Sequence, residues 1–218
     1  MNESTPKILI VTAVDAERDT VLRGLAGNEQ YEVIVAGVGP SAAASRTAVA
    51  LSSGHYKYVI SAGIGGGFPG QAPIGSLVIA SKIIAADLGS ETPDGFLSVE
   101  ELGFGSACIQ TPSVISEQLT RALQSAGLSA ICAPILCVST TTGTKETADA
   151  LAVRNPGAAA EAMEGFGVAQ AAQDFGLPVL EIRAISNMVG PRNRDAWKIP
   201  QALQTLEAAI SILPEVLT

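Results

Sequence analysis

The chain has 218 residues, enough for one large α/β domain with a substantial core, and no Pro/Ser-rich or charged linker divides it, so residues 1–218 read as a single domain. A formal net charge of −8 without any basic stripe excludes a nucleic-acid-binding role and disfavours anionic membranes. No apolar run is long enough to span a bilayer and the first residues lack the layout of a signal peptide, so a soluble, cytoplasmic protein is expected.

Aromatics make up only 4% of a sequence rich in Ala, Val, Ile and Leu, which suits strands covered on both faces by closely packed helices. Residues 7–14, KILIVTAV, predict a buried first strand, and 15–25 a helix with Asp15 and Glu17 in its opening turn. Glu17 alone would read as an ordinary dipole-complementing residue, but its place near a strand's carboxyl end makes it a candidate base. Residues 31–38 form the next strand, and Gly37-Val-Gly39-Pro40-Ser-Ala42 opens a helix running to about residue 52. This fits G-x-G-x-x-A, yet the strand at 56–62 ends without the acid that a dinucleotide site needs. Tight packing is the better reading.

The run Gly63-Ile64-Gly65-Gly66-Gly67-Phe68-Pro69-Gly70 contains G-x-G-x-x-G but leads into a β-rich segment at 76–88 rather than a helix. It predicts a loop whose glycines let backbone amides approach a ligand. Residues 89–107 read as a polar excursion at the sheet's edge. A helix at 112–126 with Ser113 as N-cap precedes a strand at 130–139. The following hydroxyl run, Thr140 to Thr142 with Gly143, is a candidate ligand wall, although such runs are also ordinary loops. A short helix covers 145–154.

The stretch AEAMEGFGVAQAAQDFGLPVLEIRAISN, residues 160–187, organises the rest. It predicts a strand at 158–163, a helix at 164–174 and a strand at 177–186, a βαβ unit with Glu164 and Asn187 at one edge of the sheet. Beyond it, Arg192, Arg194 and the single tryptophan, Trp197, stand together in an otherwise acidic chain. They suggest an anionic substrate group, with solvated loop arginines as the equal alternative. An amphipathic helix at 199–217 closes the chain. Cys108, Cys132 and Cys137 lack metal-ligand spacing and read as reduced core thiols, while His55, the only histidine, reads as a surface turn residue.

Four segments, AVDAER (13–18), SAGIGGG (61–67), AMEG (162–165) and RAISN (183–187), together resemble the nucleoside phosphorylase and nucleosidase superfamily. The resemblance is to its bacterial branch related to methylthioadenosine/S-adenosylhomocysteine nucleosidase and covers nearly the whole chain. It implies a three-layer αβα sandwich with a central twisted mixed sheet, no cofactor or metal, a purine nucleoside as small-molecule partner, and a homo-oligomer of at least two chains. By the same resemblance Glu17 activates the attacking water, Glu164 binds the ribose hydroxyls and Met163 packs against the sugar. Gly63, Ile64, Gly65, Thr141 and Thr142 join the candidate substrate contacts.

The sequence departs from the adenine-specific branch at Asn187, where those enzymes carry the aspartic acid that protonates the purine. An asparagine amide has a donor and an acceptor but no such proton, which points to a 6-oxopurine leaving base. The strand before the glycine run lacks the arginine that phosphorylases place there, so water is favoured over phosphate as nucleophile. The resemblance further implies a substrate with a benzoate on an extended 5′ substituent, for which Arg192 or Arg194 would pair with the carboxylate and Trp197 or Phe68 pack on the ring. The rival readings are an adenine nucleosidase, a nucleoside-binding protein without turnover, and an NAD-dependent enzyme.

Overall fold

The computed structural model describes residues 5–217. The first half comprises β1 (Lys7–Thr12), α1 (Asp15–Leu25), β2 (Tyr31–Val35), α2 (Pro40–Ser53), β3 (Tyr56–Gly67) and β4 (Leu77–Ala85). A short hairpin, β5 (Gly89–Thr92) and β6 (Gly95–Ser98), and β7 (Cys108–Gln110) follow. The second half comprises α3 (Ser113–Ser125), β8 (Ala130–Cys137), α4 (Lys145–Arg154), β9 (Ala160–Ala162), α5 (Gly165–Asp174), β10 (Val179–Met188) and α6 (Ile199–Val216), with a 3-10 turn at Arg194–Ala196.

The main sheet has the order β10-β4-β8-β9-β3-β1-β2, with β7 on the far part of β4. β10 also pairs with β3, so the path from β10 round to β3 closes on itself and the sheet curls. Period-two alternation decides which residues face which helices. Ile8, Ile10, Ile60, Leu77, Ile79, Leu180 and Ile182 pack with α1, α3 and α6, whereas Leu9, Val11, Val59, Val78 and Val179 pack with α2 and α5. Burying each such aliphatic side chain contributes about 1.5–3 kcal/mol, which makes the three-layer αβα arrangement the stable one. Gly167 lets α5 lie against α2, because a Cβ there would stand 2.0 Å from the Pro40 carbonyl oxygen.

Several expectations are corrected. The glycine run is not a loop: β3 continues through Gly67. Glycine is required because a Cβ at Gly67 would meet the Ala72 carbonyl oxygen at 2.1 Å and one at Gly65 the Glu161 carbonyl oxygen at 2.8 Å. The segment 160–187 is not a parallel βαβ unit either. β9 runs antiparallel to β3 while β10 runs parallel to it, so the two strands flanking α5 have opposite senses. With three residues, β9 only wedges between the ends of β8 and β3. The polar excursion holds the β5–β6 hairpin, and the N-cap of α3 is Pro112, with no side-chain cap bond from Ser113. Cys137 is buried, its thiol pushed up to about 12 by desolvation, whereas Cys108 and Cys132 are only half-buried. His55 is exposed in the turn before β3.

Candidate active site

The curled end of the sheet leaves a cavity of about 440 Å³ between the β1–α1 turn, the end of β3, the β8–α4 loop, the β9–α5 junction and the end of β10. That volume suits a small polar molecule.

Glu17 occupies the third position of α1 and folds back over the helix start. Its Oε2 accepts from the N–H groups of Ala13 (3.0 Å) and Val14 (3.4 Å), and Oε1 accepts from the Ile64 N–H (2.9 Å). The carboxyl group thus ties α1 to β3 while facing the cavity. Burial pushes its pKa above the ordinary value and outweighs the opposing pull of Arg183 and of the Ile64 and Ala13 N–H groups. Gly63 admits this arrangement, since a Cβ would stand 2.5 Å from Glu17 Oε1 and 2.7 Å from Arg183 Nη1.

Arg183, on β10 and 1% exposed, is the hub of the polar core. Its Nε donates to Glu181 Oε1 (2.8 Å), Nη2 donates to Ser61 Oγ (2.8 Å), and Nη1 lies 3.3 Å from Glu164 Oε2. Such a buried guanidinium is tolerated because paired carboxylates offset its desolvation. Glu181 is fully buried, and burial raises its pKa against the pull of Arg183. Gly165 leaves the room Glu181 needs, for a Cβ would stand 2.2 Å from Glu181 Oε2. Glu164 stands at the N-cap position of α5, where its Oε1 accepts from the Gly39 N–H (3.2 Å). Gly39 has φ of 95°, a left-handed conformation that glycine adopts without strain.

Asn187 lies inside β10, immediately after a register irregularity in the β10–β3 pairing that begins at Ile185. Irregularities of this kind re-aim side chains at the rim of a sheet. Asn187 Oδ1 accepts from Ser186 Oγ (2.8 Å) and Nδ2 donates to the Met188 carbonyl (3.1 Å). Opposite, the Thr142 N–H (2.8 Å) and Thr142 Oγ1 both donate to the buried Glu161 carboxylate. At the mouth, Arg192 and Trp197 line the cavity, with the guanidinium 5.6 Å from the indole centroid.

The structure therefore brings Glu17, Ile64, Gly65, Thr141, Thr142, Met163, Glu164, Asn187, Arg192 and Trp197 to one cavity. It does not bring three expected contacts there. Gly63 lies beneath the Glu17 carboxylate rather than on the wall. Phe68 is 2% exposed and packs with Leu136, Leu151 and Val189 in a separate apolar cluster, lining a neighbouring cavity. Arg194 sits in the exposed 3-10 turn, 5.9 Å from the Trp197 ring. Sequence reasoning assigned no role to Val38, Glu161, Ser186 or the Glu181–Arg183 pair. Two charges inside an apolar strand were the available signal for that pair.

This fold is that of the nucleoside phosphorylase-like proteins. The 5′-methylthioadenosine/S-adenosylhomocysteine nucleosidase of Neisseria meningitidis, solved with methylthio-immucillin-A, superposes with a TM-score of 0.84 at 17% identity, over 98% of this chain and 100% of that one. The native futalosine hydrolase of Helicobacter pylori superposes with a TM-score of 0.81 at 19% identity, over 96% and 98%. The chain belongs to the phosphorylase superfamily, whose family model matches residues 9–217. It is 48% identical to the futalosine hydrolase of Streptomyces coelicolor, covering 96% of each chain, and 46% identical to that of Acidothermus cellulolyticus, over 95% of this chain and 90% of that one.

Proposed function

We propose that this protein is a purine nucleosidase that hydrolyses the N-glycosidic bond of futalosine, releasing hypoxanthine and leaving dehypoxanthine futalosine for menaquinone biosynthesis. The observation that carries the reading is a single cavity holding the buried Glu17 carboxyl, the Glu164 carboxylate and the Asn187 amide, with Arg192 and Trp197 at its mouth. The identity to two futalosine hydrolases over nearly the whole chain supports it.

Breaking the bond builds positive charge on the ribose, and a nearby carboxylate stabilises it. Glu164 takes that role and binds the ribose hydroxyls, held in place by the Gly39 N–H and by Arg183. Glu17 removes a proton from the attacking water, and its burial-raised pKa makes it the stronger base. Asn187 reads the 6-oxopurine, Nδ2 donating to O6 and Oδ1 accepting from N7–H once the departing purine anion has taken a proton from bulk water. The hydroxyl of Ser186 orients that amide. Trp197 packs on the benzoate ring and Arg192 pairs with its carboxylate. A phosphate nucleophile would need free cationic donors, yet Arg183 is already engaged by Glu181 and Glu164. None of these steps calls for a metal or cofactor.

We also read residues 1–218 as one nucleosidase domain, in keeping with the extent of the family match, and place the protein in the cytoplasm as at least a homodimer. No helix among the described residues is long and apolar enough to cross a membrane. Phe104 and Val153, 81% and 79% exposed, are large apolar groups of the kind that an interface covers. Light scattering at micromolar concentration tests the oligomer.

Ultraviolet-detected chromatography after incubation with futalosine, inosine and methylthioadenosine tests the substrate. Hypoxanthine release with futalosine strongly preferred supports the reading. Adenine release from methylthioadenosine as the dominant activity would overturn the assignment of Asn187, and binding without release from any of them would leave a nucleoside-binding protein.

A further inference from the structure

Glu161 is a buried carboxylate for which the proposed chemistry has no use. It sits on β9, in register with Leu136 of β8 and Gly66 of β3, is 6% exposed, and faces the same cavity as Glu17 and Glu164. Its acceptor contacts both come from one residue: Oε1 receives the Thr142 N–H (2.8 Å) and Oε2 the Thr142 hydroxyl. A carboxylate held out of water by two donors from one threonine is a clasp on the backbone at that threonine.

What the clasp holds is the loop from β8 to α4. The Ser139 N–H donates to Asp87 Oδ2 (2.6 Å) at the loop's start, and Thr144 caps α4 at its end through the Thr147 N–H (3.1 Å). Between these two anchors, the Glu161–Thr142 pair fixes the middle of the loop to the sheet. The next residue, Gly143, offers its carbonyl oxygen to the Arg192 N–H (3.1 Å). A short relay therefore runs from the rigid sheet to the loop that carries the arginine: Glu161, Thr142, Gly143, Arg192. Arg192 itself is exposed; in the irregular segment between β10 and the 3-10 turn, Val189 is buried and its N–H donates to the Gly67 carbonyl (2.8 Å), and the Gly143 bond holds the part beyond it at Arg192.

We propose that Glu161 is a positioning residue for substrate selection, holding Arg192 through Thr142 and Gly143 at the place where it meets an anionic aryl group on the 5′ side of the nucleoside. The inference rests on the futalosine reading for the identity of that group. Glu161 touches none of the reacting atoms in this scheme, so its effect falls on which nucleoside is chosen rather than on how the bond breaks.

The test compares kcat/KM for futalosine with kcat/KM for inosine, which has no acidic 5′ extension, in wild type, Glu161→Ala, Glu161→Gln, Thr142→Val, Arg192→Ala and the Glu161→Ala/Arg192→Ala double variant. Loss of the clasp is expected to lower the futalosine-to-inosine ratio about tenfold, mostly through KM for futalosine, the size of effect that one displaced charge-assisted contact gives. Glu161→Gln, which still accepts from the Thr142 N–H, should recover most of the ratio. Thr142→Val, which keeps that N–H and deletes the hydroxyl, should fall between Glu161→Gln and Glu161→Ala. The double variant should lose no more selectivity than Arg192→Ala alone, because both act on one contact. Equal losses on both substrates in Glu161→Ala and Glu161→Gln, or additive losses in the double variant, would overturn the inference. Should Glu161→Ala fail to fold, Thr142→Val and Glu161→Gln still decide it. A wild type that releases no hypoxanthine from futalosine would instead count against the substrate reading, which separates the two failures.

Discussion

Arg183 Nη1 lies 3.3 Å from Glu164 Oε2, and the same guanidinium holds Glu181 Oε1 at 2.8 Å through Nε, so one buried cation orients a carboxylate at the cavity wall and is itself balanced from behind. The pairing fixes the Glu164 oxygens against both the Gly39 N–H and the sheet. In the proposed mechanism, Glu164→Gln removes the charge that steadies the developing ribose cation while leaving the shape almost unchanged. We expect kcat to fall on the order of 10²–10³-fold, with KM changing far less. Steady-state kinetics on futalosine, with circular dichroism to confirm folding, checks this; a variant within threefold of wild type in kcat would remove Glu164 from the chemistry.

Glu17 gives a prediction with opposite signs for activity and stability. As the proposed base it must be ionised, so kcat/KM should decline below an inflection that lies above the ordinary carboxyl value of 4.5, and Glu17→Gln should lose about 10²–10⁴-fold together with that acidic limb. Stability runs the other way. A carboxyl group whose pKa is raised by folding binds its proton more tightly in the folded state, so its favourable contribution is complete below about 4.5 and disappears as pH rises through the higher folded value. Glu17→Gln should therefore melt no lower than wild type near pH 7, any gain shrinking on acidification. Glu161 and Glu181 are displaced in the same direction, also by burial. Thermal melts across pH 4 to 8 provide the measurement, and a large loss of stability in Glu17→Gln at neutral pH would contradict it.

How much of this was legible depended on whether a signal was local. The helix at 15–25 and the one at 145–154 were readable to the residue, because each has an acid in its first turn and an arginine in its last turn. The motifs that placed Glu17, Glu164 and Asn187 were local as well. The direction of β9 was not: three alanine- and glutamate-bearing residues carry no record of whether their neighbour runs parallel or antiparallel. The glycine run was misread for the same reason. Glycines suggest a loop when only the chain is considered, but here they keep a strand free of Cβ atoms that would strike Ala72, Glu161 and Glu17. Glu161 and Arg183 act through partners distant in sequence, Thr142 for the one and Ser61 and Glu164 for the other, and alternation along a strand assigns a face without naming what faces it.

In the proposed reading, Asn187 separates two leaving bases. Asn187→Asp supplies an acid able to protonate a purine and removes the amide donor proposed to meet O6. Hypoxanthine release from futalosine should fall by about two orders of magnitude, the penalty for leaving a buried polar group mismatched, while adenine release from methylthioadenosine rises relative to wild type. Chromatography of both reactions side by side reads the change. An unchanged preference would mean that the base is chosen elsewhere in the cavity.

Arg192 and Arg194 were equivalent in the sequence and are not in the fold, since only Arg192 lines the cavity. Arg192→Ala should raise KM for futalosine roughly tenfold, as expected for loss of one charge-assisted pair at a partly wet site, and Arg194→Ala should change it less than about twofold. The reverse ranking would place the benzoate on the outer side of Trp197.

The most direct test of the central claim is mass spectrometry of both products of futalosine turnover, with and without phosphate. The account predicts hypoxanthine and the free sugar, dehypoxanthine futalosine, at the same rate in both buffers. A sugar 1-phosphate whose formation requires phosphate would contradict it, since Glu17 would then not be activating water.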